Sequence, residues 1–196
     1  MNPLKSVTGT IASGFILAII IFVATGASNP GALAMEVWFH VIAGVIWIGL
    51  LYYFNFVQVP GVGAALADSD GPGPAAINKY VAPRALLWFR WAAVVTWLTG
   101  IGALQNLPTP GGAMAAFTLA EGFEVIGLGA WLGTIMLFNV WVFIWPNQKK
   151  ILGIVDATAE QIAGAKVVAL MASRTNTVLS IPMLMTMVGY GHGLTF

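Results

Sequence analysis

The chain has no cysteine, and only 8% of its residues are charged, against roughly 25% in an ordinary soluble domain. Without cysteine there are no disulfides, no thiolate-held zinc, no iron–sulfur clusters and no covalent c-type haem, which needs a C-x-x-C-H motif. Any metal or cofactor must be held by His, Met, carboxylate or backbone. Eight Lys and Arg against seven Asp and Glu give a net charge of +1. With no basic cluster, that balance gives no electrostatic footprint for nucleic acid.

What is abundant is apolar surface, at 59% of residues. Continuous apolar runs at about 11–26, 33–57, 85–104, 117–145 and 176–192 match the about 20 residues a spanning helix requires, and not the alternating ten-residue segments of a barrel. The expectation is an all-α integral membrane protein, a bundle of about five transmembrane helices forming a single domain over residues 1–196. Its first run resembles a signal peptide, with Lys5 before Phe15–Val23 and small residues Ala24 to Ala27 after it; it is read as an uncleaved span. Ser28, Asn29, Pro30 and Gly31 are expected to turn the chain into the second helix.

Residues 58–84, with Pro60, Pro72, Pro74 and Pro83, are expected to form a loop too broken to span. Pro146 should end the fourth helix, and Pro182 should kink the fifth. Within residues 147–173, Thr158 and Gln161 fit a capping box that opens an amphipathic helix. With five spans, all eight basic residues fall at one end: Lys5, Lys79, Arg84, Arg90, Lys149, Lys150, Lys166 and Arg174. The positive-inside rule then puts the N-terminus in the cytoplasm and the C-terminus outside, in a multi-pass protein of the cell's inner (plasma) membrane.

That topology brings the only two histidines to the outer leaflet. His40 lies about two turns into the second helix, roughly 10 Å from a boundary at Leu33, and His192 lies at the outer end of the fifth. Imidazole ligates haem iron, copper and zinc, and is costly inside a span unless its nitrogens are satisfied. The plainer alternative for each is a structural hydrogen bond. Glu36, four residues before His40, and Glu121 and Glu124 join them at the outer end. These carboxylates are candidates to support a ligating histidine, relay protons or bind a metal directly; the alternative is a solvated acid at a helix N-terminus. Arg90 and Arg174 lie across most of the roughly 30 Å hydrocarbon core from the histidines and are expected to snorkel inward. Asn139 and Asn176 are read as interhelical hydrogen-bonding residues, and Gly129-x-x-x-Gly133 as a close-packing face.

Four segments then carry a resemblance: WFHVIAGVIWIG from Trp38, WFRWAAVVTWLTG from Trp88, LGTIMLFNVWVFIWPNQKK from Leu132 and SRTNTVLSIPMLM from Ser173. In this order they resemble the membrane portion of the urate oxidase N-terminal-domain family, known from membrane-bound urate hydroxylases, across about residues 33–192. The resemblance implies a redox-linked membrane protein in which His40 matches a motif histidine and His192 falls near a histidine of the last helix. Two features depart from that pattern: the chain has no c-type cytochrome portion, and Thr175-Asn176 stands where the hydroxylases have a His-Asn pair.

The expectation is therefore a haem b-binding redox protein or electron-transfer subunit. His40 and His192 are the axial ligands, Glu36, Glu121 and Glu124 lie around them, and the partners are lipid, other membrane subunits or an outer-side electron carrier. A non-redox accessory subunit of a larger membrane complex is the alternative. A urate-oxidising enzyme and an outer-leaflet mononuclear metal site are weaker readings.

Overall fold

The computed structural model describes residues 2–26 and 31–194. The expected turn at Ser28, Asn29 and Pro30 lies outside the described residues. Five helical runs are long and apolar enough to cross a membrane: α1 (Val7–Ala24), α2 (Ala32–Ala67), α3 (Ile77–Gln105), α5 (Glu124–Ile151) and α6 (Ala159–Gly191). A short helix, α4 (Gly112–Phe117), lies between α3 and α5. The described residues contain no strand.

The prolines do not act as breakers. Three π-helical segments, Phe54–Gln58, Ile77–Val81 and Asn139–Ile144, each end two residues before a proline: Pro60, Pro83 and Pro146. Proline lacks an N–H, and its ring collides with the carbonyl four residues back. That carbonyl belongs to Phe56, Lys79 or Val142, inside the widened turn in each case. An i→i+5 turn relieves the collision, and the helix continues. The expected loop at 58–84 is therefore mostly helix, leaving only residues 68–74, with Pro72 and Pro74, as connection. The fourth span also starts later than its hydropathy suggests, because Leu119 (φ 53°) and Gly122 (φ 80°) turn the chain before Glu124. The capping box at Thr158 and Gln161 forms, and the helix it opens runs unbroken past Pro182 as one with the last span.

Contacts along the helices fix the packing as antiparallel. Phe54 of α2 meets Phe89 of α3 edge to face, with ring centroids 5.5 Å apart, while Glu36 reaches Asn106 at the opposite end. The core is Trp47, Leu51, Phe54, Phe89, Ala93, Met136, Val140 and Met183, at the centre of α2, α3, α5 and α6. Lys79, Arg84, Lys149, Lys150 and Lys166 lie toward one end of these helices, with Arg90 and Arg174 near mid-helix. Arg90 stacks on the Trp145 ring at 3.8 Å. It is six residues, about 9 Å of rise, from the Thr96 that meets His40, closer than the expected separation of most of the hydrocarbon core.

Between α5 and α6 two buried amides bond as expected: Asn139 Nδ2 donates to Asn176 Oδ1 at 2.8 Å, and Asn176 Nδ2 donates to the Met136 carbonyl at 2.9 Å. Gly129 of the small-residue face packs on Thr186 and Met187, whereas Gly133 has nothing near its Cα and opens onto a cavity. Replacing Asn176 with Leu leaves the Asn139 amide unpaired, and the expected loss is about 1–2 kcal/mol. A denaturant titration in detergent micelles measures it; an unchanged midpoint would remove these amides from the stabilising contacts.

Candidate functional site

The histidine on α2 owes its position to a glycine pair on α3. A Cβ at Gly100 would lie 2.9 Å from His40 Cε1 and 3.0 Å from its Nδ1, and a Cβ at Gly102 would lie 2.6 Å from a Glu36 carboxylate oxygen. Absent side chains at both positions let α2 lay His40 and Glu36 directly on the α3 backbone. His40 Nδ1 donates to the Thr96 carbonyl at 2.7 Å. The same carbonyl also accepts from the Thr99 hydroxyl at 3.1 Å; a carbonyl can only accept, so Nδ1 carries the hydrogen. Nε2 keeps its lone pair and has no protein partner among the described residues. This is the usual condition of a ligating imidazole, whose second nitrogen is held by a carbonyl or carboxylate.

His40 lines a cavity of about 690 Å³, partly open and almost wholly apolar, enclosed by α2, α3, α5 and α6. That size falls within the about 300–1,000 Å³ of cofactor and ligand sites. Along α2 its wall runs from Leu33 through His40, Gly44 and Trp47 to Tyr52, a rise of roughly 28 Å. Gly44, Gly49, Gly100 and Gly133 flatten the walls, and Met183 and Met187 face it from α6. Trp47 is only 2% exposed, yet its Nε1 has no hydrogen-bond partner. Trp47 lines the cavity, and an indole N–H buried without an acceptor among the described residues is an exception among buried donors.

The other expected site residues are placed less centrally. His192 caps the end of α6, exposed, with Nδ1 donating to the Val188 carbonyl at 2.7 Å and Nε2 open; its neighbours Gly191 and Tyr190 line the cavity mouth. Glu36 accepts from Asn106 Nδ2 at 2.9 Å, so the hydrogen-bond partner of His40 is the Thr96 carbonyl and not this carboxylate. Glu124 begins α5, where the helix dipole favours its charge. Glu121 is exposed in the turn before it. Among the described residues, no three His, Cys, Asp or Glu side chains are grouped as a metal site would need. Met185 is exposed and does not line the cavity.

Thr96 was not a sequence candidate, because a backbone carbonyl leaves no trace in a side-chain pattern. The Gly100-x-Gly102 spacing, on the helix that pairs with the histidine helix, is the signal that could have found it. Thr175 is exposed, and the amide of Asn176 is spent on α5.

Residues 113–196 match a family model described as urate oxidase N-terminal. The match takes in the end of α4, all of α5 and α6, and the Leu132 and Ser173 segments; it leaves out α2 with His40 and α3 with Thr96. No curated protein and no solved structure matches the chain.

Proposed function

We propose that this chain is a membrane-embedded haem b-binding redox protein, with its basic end at the cytoplasmic face of the inner membrane and its cavity mouth outside. The observation that carries the reading is His40, which presents an unpartnered Nε2 on the wall of an apolar cavity of cofactor size. Flat glycine-bearing walls and the orphaned Trp47 donor suit a planar, largely apolar group with a few acceptor atoms. When bound, such a group supplies one-electron transfer.

The residues around it have separable tasks. His40 would hold the group through Nε2, with the Thr96 carbonyl keeping its Nδ1–H, which fixes the ring and raises its basicity as a ligand. His192, exposed and not itself on the cavity wall, would supply a second ligand from the end of α6, with Met183 and Met187, which do line the cavity, the next donors along the same helix. The apolar walls exclude water and so strengthen every electrostatic interaction inside. Glu36, Glu121 and Glu124 make the mouth acidic, a surface on which an outer-side electron carrier with a basic patch would dock.

The orientation has its own test. Cysteines placed at Ser69 and Thr109, in connections at opposite ends of the bundle, are treated in intact cells with a membrane-impermeant thiol reagent. The reading expects labelling at 109 and protection at 69 until the cells are opened. Labelling at 69 would reverse the orientation and move the cavity mouth to the cytoplasm.

One feature favours the accessory-subunit reading as a second. No residue of α1 is buried, and its aromatic contact with the bundle is Phe15 edge-on to Trp38 at 5.7 Å. A span held so lightly is available to a neighbouring subunit. The two readings separate on colour: a chain that purifies in stoichiometric complex without a chromophore supports the second.

A further inference from the structure

Between α2 and α6 the apolar packing gives way to hydroxyls and amides. On α2, Tyr52, Asn55 and Gln58 follow one another at steps of three; on α6, Ser173, Thr177 and Ser180 follow at steps of four and three, so each set shares a helix face. The two faces meet. Tyr52 Oη and Ser180 Oγ are 2.9 Å apart, and Asn55 Nδ2 donates to Ser173 Oγ at 2.8 Å and to the Leu51 carbonyl at 2.9 Å.

The hydrogens can be assigned. Ser180 gives its single hydrogen to the Thr177 carbonyl at 2.7 Å, so Tyr52 is the donor to Ser180. Both hydrogens of the Asn55 amide are committed, which fixes the amide orientation and leaves Oδ1 as its open end. That oxygen is buried with no donor, and so is Gln58 Oε1 one turn further along. A buried acceptor without a donor carries a desolvation penalty, and internal water is its ordinary partner. Both oxygens belong to the π segment before Pro60. At the other end of the strip Tyr52 lines the cavity that contains His40.

We propose that this strip is a hydrated proton path from the basic end of the bundle to the cavity, with its waters held by Asn55 Oδ1 and Gln58 Oε1 and the Tyr52 hydroxyl as its last link. Tyr52 releases its hydrogen to an acceptor in the cavity. Ser180 turns its hydrogen from the Thr177 carbonyl to the phenol oxygen and is resupplied by further water along the Ser173–Thr177–Ser180 face, roughly 10 Å long, which is fed from the water beside Asn55; that water takes a proton from the basic side. One proton has moved, no electron has, and every oxygen ends neutral. The path rests on the redox reading for its purpose alone: an electron added in a site of low dielectric favours uptake of a compensating proton.

The test has two arms. Hydroxyl-radical footprinting of the purified full chain in nanodiscs, read by mass spectrometry, needs no cofactor. Tyr52 is expected to be oxidised severalfold faster than the core residue Phe89, and severalfold slower after Asn55→Leu or, should that variant fail to fold, Gln58→Leu. Tyr52 as inert as Phe89, or a rate that neither substitution changes, overturns the path. In the haem-loaded protein, Tyr52→Phe should slow proton uptake on reduction severalfold while leaving the optical spectrum unchanged; an unaltered rate also overturns it. A chain that takes up no haem refutes the functional reading instead, and footprinting alone then decides the path.

Discussion

His40→Ala is expected to abolish the low-spin b-type spectrum of the purified protein. The substitution removes the imidazole on the α2 wall of the cavity and would leave the proposed iron a ligand short. Because His40 is half-buried and its single hydrogen bond is to a carbonyl of α3, the fold should survive, and circular dichroism with a thermal scan separates loss of the group from loss of the bundle. His192→Ala tests the second proposed ligand. It lies at an exposed helix end, so its loss should leave the bundle intact and convert the spectrum to that of a five-coordinate or methionine-ligated iron. A spectrum unchanged by His192→Ala would make the site single-histidine and direct the next substitutions to Met183 and Met187.

The second large effect is expected from a residue that carries no ligating atom. Gly100→Ala places a methyl 2.9 Å from His40 Cε1 and 3.0 Å from Nδ1, so the ring must shift and its bond to the Thr96 carbonyl is strained or lost. Loss of such a supporting hydrogen bond weakens metal affinity by about 10–100-fold, while the helix itself gains a better helix former than glycine. Haem titration should therefore show a large drop in affinity in a protein of undiminished stability. Equal affinity in Gly100→Ala would mean that His40 is not held against α3 in the way the bond to Thr96 requires.

Long apolar runs made the five spans legible, since no other element uses about 20 consecutive apolar residues. Their ends near the prolines were not legible. Pro60, Pro83 and Pro146 read locally as stops, and only the π turn before each one shows how the helix passes through. Hydropathy likewise ran the fourth span back to residue 117, although a positive-φ turn at Leu119 intervenes. Of the candidate site, His40 was visible as an imidazole in an apolar span, and the contact of Asn139 with Asn176 was visible as polar residues that lipid would not tolerate. Thr96 was invisible, because its contribution is a carbonyl. The role expected of Glu36 beside His40 depended on a four-residue spacing along one helix, whereas its partner Asn106 comes from another.

The most direct test of the central claim is haem quantitation on the full-length chain, purified from cells supplied with haem precursor, with a reduced-minus-oxidised difference spectrum on the same sample. The account predicts stoichiometric b-type haem with α and Soret bands that respond to dithionite and are lost in His40→Ala. A colourless protein, or a chromophore indifferent to His40, would contradict it.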